Sequence, residues 1–136
     1  DDENYKSILN SEKCVVYHGE QKDMTPFYSE CSCFLYPSYY PEGMSNVLLE
    51  AAASGRPVIA AGRAGCRETL DDGITGFLVP VNDEKAVLEA TEKILKMSNE
   101  ERKAMGQRGS EKIRKEFDRK LVVQADWEEL QRVIGG

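Results

Sequence analysis

The chain has one histidine and one tryptophan in 136 residues, and its four cysteines form no C-x-x-C pair. His18 alone leaves little scope for a histidine-rich metal cluster or a Ser-His-Asp triad. No apolar run approaches the roughly 18 residues that a membrane-spanning helix needs. Basic side chains number 18 against 24 acidic ones, a net charge of −6, so the basic footprint of a nucleic-acid binder is missing. Internal repeats and low-complexity tracts are absent. The first residue is Asp1 and no signal-peptide pattern follows, so the chain is expected to be an excised piece of a longer one. Cys31 and Cys33, two apart, would share a strand face as a disulfide or ligand pair. The plainer expectation for Cys14, Cys31, Cys33 and Cys66 is that of small buried hydrophobes in a reducing compartment.

The composition is 40% hydrophobic, enough to build a core, and the length fits one domain over residues 1–136. Four short apolar runs read as strands: Cys14-Val15-Val16-Tyr17, Cys33-Phe34-Leu35-Tyr36, Pro57-Val58-Ile59-Ala60 and Gly76-Phe77-Leu78-Val79-Pro80. They are apolar throughout rather than alternating, as in a parallel sheet covered on both faces. Helix-length segments separate them. Thr25-Pro26 opens a short helix, and Ser45 N-caps a helix from Asn46 to Ala53 that Gly55 stops. That rhythm predicts an α/β, Rossmann-like parallel sheet.

More than half of the charged side chains fall in residues 83–136, which read as a helical tail. Val87, Thr91, Ile94 and Leu95 mark one face of a helix starting near Asp83. Ser98 and Glu101 have capping-box spacing for the next, with a stripe of Met105, Gly109, Ile113 and Phe117. Asp118 is placed to cap a last helix carrying Val123, Trp127, Leu130 and Ile134. That last stripe is too short for a coiled coil and is expected to pack on its own sheet.

Ligands of open α/β sheets bind at the carboxyl ends of strands, where loops lead into helix N-termini. Residues 36–51 are the informative stretch. The chain leaves the second predicted strand through Pro37 and Pro41 with Tyr39 and Tyr40 between them, turns at Gly43 and enters a helix at Ser45. Backbone amides of Met44, Ser45, Asn46 and Val47 would point at whatever lies there, and the helix dipole favours an anion such as phosphate. Glu42 and Glu50 frame the place. Glu42 could simply complement the dipole and Glu50 could be a solvated helix residue. Yet Val47-Leu48-Leu49-Glu50-Ala51-Ala52-Ala53 is otherwise apolar, and a carboxylate there needs partners that a polyhydroxylated ligand would supply.

The stretch Glu42-Gly43-Met44-Ser45-Asn46-Val47-Leu48-Leu49-Glu50-Ala51, followed by Gly55-Arg56-Pro57-Val58-Ile59-Ala60, closely resembles the donor-site signature of retaining GT-B glycosyltransferases, glycosyltransferase family 4 (group 1). Gly65-Cys66-Arg67-Glu68 and Asp72-Gly73-Ile74-Thr75-Gly76-Phe77-Leu78-Val79 continue it in order, and Val16-Tyr17-His18-Gly19 resembles the segment that precedes it. The resemblance implies a C-terminal, donor-binding piece of such an enzyme, lacking its acceptor domain and first strands. It implies transfer of a sugar, of hexosyl type and with retention, from a nucleotide diphosphate sugar to a glycan or lipid-linked acceptor. By the same likeness Glu42 is the catalytic-site residue that contacts the donor sugar beside the amides of Gly43 and Met44. Ser45, Asn46 and Val47 offer amides to the diphosphate, Glu50 accepts from the ribose hydroxyls, and His18 and Gly19 lie near the nucleobase through their backbones.

No DxD-like carboxylate pair is present, so no metal and no cofactor are expected; the nucleotide sugar is a substrate. The family's early cationic pair would precede residue 1. Arg63 is read as a solvated arginine rather than a substitute for that pair, although its place near a strand end makes it worth testing. Alone, the 136-residue chain is expected to be inactive. Polysaccharide synthesis in the cytoplasm, with the full-length parent peripheral at the inner membrane face, is the setting the resemblance implies. Removing the first strands would also bare sheet edges on which a homodimer could form. A binding-only nucleotide-sugar module and a GT-B nucleotide-sugar epimerase share the architecture and remain alternatives.

Overall fold

The computed structural model describes residues 13–40 and 43–118, with Asn4, Ser7, Ser11, Gln131 and Arg132. In chain order its elements are α1 (Thr25–Glu30), β1 (Phe34–Tyr36), α2 (Asn46–Ala53), β2 (Val58–Ala61), β3 (Gly76–Val79), α3 (Glu84–Lys96) and α4 (Asn99–Phe117). The three strands form one parallel sheet in the order β1-β2-β3. Phe34 pairs with Val58 and Tyr36 with Ala60 on one side of β2; Val58 pairs with Gly76 and Ala61 with Val79 on the other.

All four residues of β2 are buried, which explains its unbroken apolar run: a central parallel strand is covered on both faces. Alternation along the strand sends neighbours to opposite layers. Val58 and Ala60 pack with Tyr28, Leu48, Ala51, Ala52 and Ile113. Ile59 packs with Val79, Ala90 and Ile94 beneath α3. The sheet is therefore sandwiched between α1, α2 and α4 on one side and α3 on the other. The expected α/β, Rossmann-like architecture is what the chain adopts.

Two helix boundaries follow from capping chemistry. The Asp83 side chain accepts from the Ala86 amide at 2.9 Å and starts α3. Ser98 and Glu101 close a reciprocal capping box at α4, the Ser98 hydroxyl taking the Glu101 amide at 3.2 Å and the Glu101 carboxylate the Ser98 amide at 2.7 Å. α4 lies against α2 at glycine contacts: a Cβ on Gly106 would run into the carbonyl oxygen of Gly55. Ser110 donates to the Ala53 carbonyl at 3.0 Å. Gly55 takes the left-handed conformation, φ +73°, that lets the chain leave α2 and turn into β2.

Several expectations need correction. Residues 14–17 do not form a strand, and the described sheet has three strands rather than four. Val16 is 71% and Tyr17 62% exposed, and neither pairs with β1. A run of four apolar residues without a ladder partner gains nothing from extension, because its amides and carbonyls are better satisfied by water. Leu95 is 67% exposed and leaves the face read in sequence, whereas Val87, Thr91 and Ile94 lie on the packed side with Ala90. Cys14 is exposed, Cys31 and Cys33 are half-buried, and only Cys66 is fully buried; all four are free thiols. Asp118 ends α4 as its C-cap. The last helix expected beyond it, with Val123, Trp127, Leu130 and Ile134, lies outside the described residues.

Candidate functional site

The carboxyl end of β1 opens into residues 37–40, and that of β2 into the turn that begins at Gly62. Tyr39 and Tyr40 stack on each other at 4.5 Å between ring centroids and are exposed. Glu42 lies outside the described residues. Gly43 and Met44 are exposed, and Ser45 is buried as the N-cap of α2. Its side chain makes no capping hydrogen bond, and the first turn of α2 holds no acidic residue. The first backbone bond of the helix runs from the Leu49 amide to the Ser45 carbonyl at 3.1 Å. Helix geometry therefore leaves the amides of Asn46, Val47 and Leu48 without acceptors inside α2. With the helix dipole behind them, they form a place for an anion.

Glu50 stands in the second turn of α2. The helix buries Leu48, Ala51 and Ala52, as its apolar composition requires, but the Glu50 side chain is on the exposed side rather than drawn into the core. Within the fold it meets one phenol: Tyr28 of α1 donates to Glu50 Oε2 at 3.3 Å. Tyr28 is 3% exposed, its ring edge-on to Phe34 at 5.6 Å. Burial, with the Glu50 carboxylate beside it, pushes the Tyr28 phenol up to about 12. It stays a hydrogen-bond donor at any physiological pH.

α1 also ties in the segment that precedes it. The His18 ring packs edge-on to Phe27 at 4.9 Å, one residue before Tyr28. The His18 carbonyl accepts from Gln21 Nε2 at 2.5 Å, and Gly19 sits at φ +68°. Asp23 Oδ1 accepts from the Thr25 amide at 2.9 Å, and hydrogen bonding from the Thr25 side chain, with that of its amide, holds the carboxyl below the usual range. Thus His18 and Glu50, 32 residues apart in sequence, both contact α1 at adjacent positions.

Arg63 is not solvated. It is 8% exposed, just beyond β2, with Nε donating to the Ser38 carbonyl at 3.0 Å and Nη1 to the Ala64 carbonyl at 3.2 Å. Its guanidinium lies 6.0 Å from the centroid of the Tyr36 ring. It acts as a strut between the ends of β1 and β2, fixing where residues 37–45 begin. Opposite, the turn before β3 is pinned by Asp72 Oδ1 accepting from the Leu78 amide at 2.9 Å and by Thr75 Oγ1 accepting from the Asp71 amide at 2.8 Å. A cavity of about 570 Å³ opens between the loop after β1 and the start of α3, lined by Pro37, Tyr39, Pro80, Asn82 and Glu84 among others.

The structure thus places Asn46, Val47 and Glu50 on one helix with Ser45 as its N-cap, and His18 against α1, which also meets Glu50; Gly19 follows His18 at the surface. Sequence reasoning missed Tyr28 and misjudged Arg63. A tyrosine in a six-residue helix reads as core, and nothing local signals a partner 22 residues away. Among the described residues no cluster of three or more His, Cys, Asp or Glu is placed to hold a metal ion, and no helix is long and apolar enough to cross a membrane.

With this geometry in hand, the likeness to known proteins can be read. Residues 1–97 match the family described as glycosyl transferases group 1. The capsular polysaccharide biosynthesis glycosyltransferase CapM of Staphylococcus aureus is 33% identical over 96% of this chain and 33% of its own length. The sucrose-phosphate synthase structure from Thermosynechococcus elongatus superposes with a TM-score of 0.85 at 28% identity, covering 98% of this chain and 34% of that one. Anabaena Alr3699/HepE in complex with UDP-glucose shares the fold with a TM-score of 0.82 at 22% identity, over 96% of this chain and 36% of that one. The chain spans about a third of the length of the curated relatives it matches. A family match over residues 1–97, with a relative alike over nearly all of this chain, places the chain among the group 1 glycosyl transferases.

Proposed function

We propose that this chain forms the donor side of a retaining glycosyltransferase of family 4, which moves a hexosyl group from a nucleotide diphosphate sugar to a glycan or lipid-linked acceptor in polysaccharide synthesis. The observation that carries the reading is the uncapped N-terminus of α2 with Glu50 one turn further on the same helix. The amides of Asn46 and Val47, beside those of Gly43 and Met44, take the diphosphate. Negative charge grows on that diphosphate as the glycosidic bond breaks, so fixed amide dipoles favour the transition state over the ground state. Glu50, an acceptor when ionised, takes the ribose hydroxyls. His18 and Gly19 present backbone to the base, and Glu42 contacts the transferred sugar. The UDP-glucose complex of the Anabaena neighbour suggests uracil as the first base to try.

The reaction in this reading is metal-independent, since the sequence offers no DxD-like pair, and transfer should persist with chelator present. The cationic charge and the acceptor site come from outside this chain. Hence the 136-residue chain alone should transfer nothing and bind nucleotide at roughly millimolar strength. In the cytoplasm-facing parent enzyme, Glu50→Gln should weaken nucleoside diphosphate binding by about 1–3 kcal/mol while leaving the melting temperature nearly unchanged. Calorimetry with UDP, GDP and ADP checks this, and unchanged affinity removes Glu50 from the site. Product analysis with an α-linked donor tests retention: a β-linked product overturns it. Among the described residues β1 pairs with β2, and a homodimer through exposed sheet edges is part of the same reading. Sedimentation tests that point, and a strict monomer at high concentration refutes it.

A further inference from the structure

The geometry points to Tyr28 as a positioning residue for nucleotide recognition: its buried hydroxyl holds Glu50 Oε2 so that Oε1 is presented, fixed, to a vicinal ribose diol. The inference rests on the functional reading above and adds to it a residue on a different helix. Three observations carry it. Tyr28 is 3% exposed, yet its hydroxyl reaches the half-buried boundary where Glu50 lies, at 3.3 Å. The ring cannot swing away, being held edge-on by Phe34 at 5.6 Å within the core of Leu48, Ala51 and Val58. Phe27, the preceding residue, carries His18, so α1 links the base end of the proposed nucleoside site to its ribose end.

An exposed glutamate on a helix otherwise samples several rotamers, and each must be frozen when it binds a diol. A donor from a rigid side chain removes much of that freedom before the ligand arrives. It also occupies one oxygen, leaving the other to accept from the 2′- and 3′-hydroxyls. A phenol suits the task because it keeps its proton at every pH at which the enzyme works, and so donates rather than competes for the ribose hydrogens.

The test is made in the full enzyme, with UDP, GDP and ADP and their 2′-deoxy counterparts as probes, by calorimetry. Tyr28→Phe keeps the ring and its packing and removes only the donor. It should weaken ribonucleotide binding about fivefold, with little change for the 2′-deoxy form. Glu50→Gln should weaken the ribo form more, and adding Tyr28→Phe to Glu50→Gln should cost nothing further, because the phenol acts through the carboxylate. A purely structural role would instead lower the melting temperature and weaken both nucleotide forms equally; that result overturns the inference. Loss of ribo preference in Glu50→Gln but full preference in Tyr28→Phe overturns the inference and keeps Glu50 at the ribose. Full ribo preference in Glu50→Gln overturns the functional reading itself, as does failure of all three nucleotides to bind. Should Tyr28→Phe lower the melting temperature, the ratio of ribo to 2′-deoxy affinity measured well below it decides: a reduced ratio supports the inference and an unchanged ratio overturns it.

Discussion

α2 and α4 pack against each other, yet their N-termini are built on opposite plans. α4 begins with a reciprocal capping box and carries Glu100 and Glu101 in its first turn; α3 begins with the Asp83 cap and Glu84. Even six-residue α1 has Pro26 in its first turn, and Asp23 accepts from the Thr25 amide. Among the three described helices of eight residues or more, α2 alone starts with neither a side-chain cap nor an acidic residue. Capping and first-turn carboxylates are each worth about 0.5–2 and 0.3–1 kcal/mol, so leaving both out forgoes stability that the other helices collect. The difference separates scaffold from site. Where the chain answers its own amides the helix is structural, and where it does not, the free amides are what the proposed diphosphate site uses.

The scaffold half of that comparison should break most severely at the glycine contact holding the two helices together. Gly106→Val would drive a branched side chain into the Gly55 carbonyl, a backbone atom that cannot step aside. About 3 kcal/mol of stability should be lost in denaturant unfolding, the upper part of the usual overpacking range. A loss below 0.5 kcal/mol would mean that α2 and α4 do not meet there.

The site half should respond in the opposite sense to its stability. Asn46→Asp puts a carboxylate in the first turn of α2 at an exposed position. Against the dipole it should stabilise the free protein by about 0.3–1 kcal/mol. The same charge repels a diphosphate, and affinity should fall about tenfold, or 1.4 kcal/mol. Thermal melts and nucleotide titration read the two effects separately. Equal affinity in both proteins would show that no anion sits at this terminus.

For α4 the matching change is Ser98→Ala, which removes the hydroxyl that accepts from the Glu101 amide. It should cost about 1 kcal/mol of stability and leave nucleotide affinity untouched. A fall in affinity would erase the distinction between the two kinds of helix start.

What could be read from the sequence divides along similar lines. Local signals were legible: the capping box at Ser98, the Asp83 cap, the Gly55 stop and the apolar run of β2 each act within a few residues or through burial on both faces. The start of α2 was legible because Gly43, Ser45 and the apolar run after them are contiguous. Long-range contacts were not. Arg63 reads as a surface cation until its Nε is seen on the Ser38 carbonyl, 25 residues away. Tyr28 reads as core until Glu50 is found above it. Residues 14–17 have strand-like composition, but a strand exists only with a neighbour, and pairing is not written in four residues.

The smallest expected effect concerns the tie between α4 and the turn before β3. Lys112, its side chain only 12% exposed, reaches Glu116 at 2.9 Å and Asp71 at 3.1 Å. Bonding to Glu116 is the main influence raising its pKa above the ordinary 10.5, with Asp71 adding to it and partial burial opposing. A lysine whose pKa is raised by folding contributes stability that is fully present below its unfolded value. That contribution is lost as pH rises through the higher folded value. Both carboxylates are about half exposed, so solvent screens the pair and Lys112→Met should cost only about 0.5 kcal/mol at pH 7. The difference between the two proteins should be constant from pH 7 to 9 and shrink above 10.5, in urea unfolding at fixed ionic strength. Because α4 starts from its own cap, nucleotide binding at α2 should not change. A difference that grew with alkaline pH would reverse the assigned sign and place Lys112 among groups that fold better without their proton.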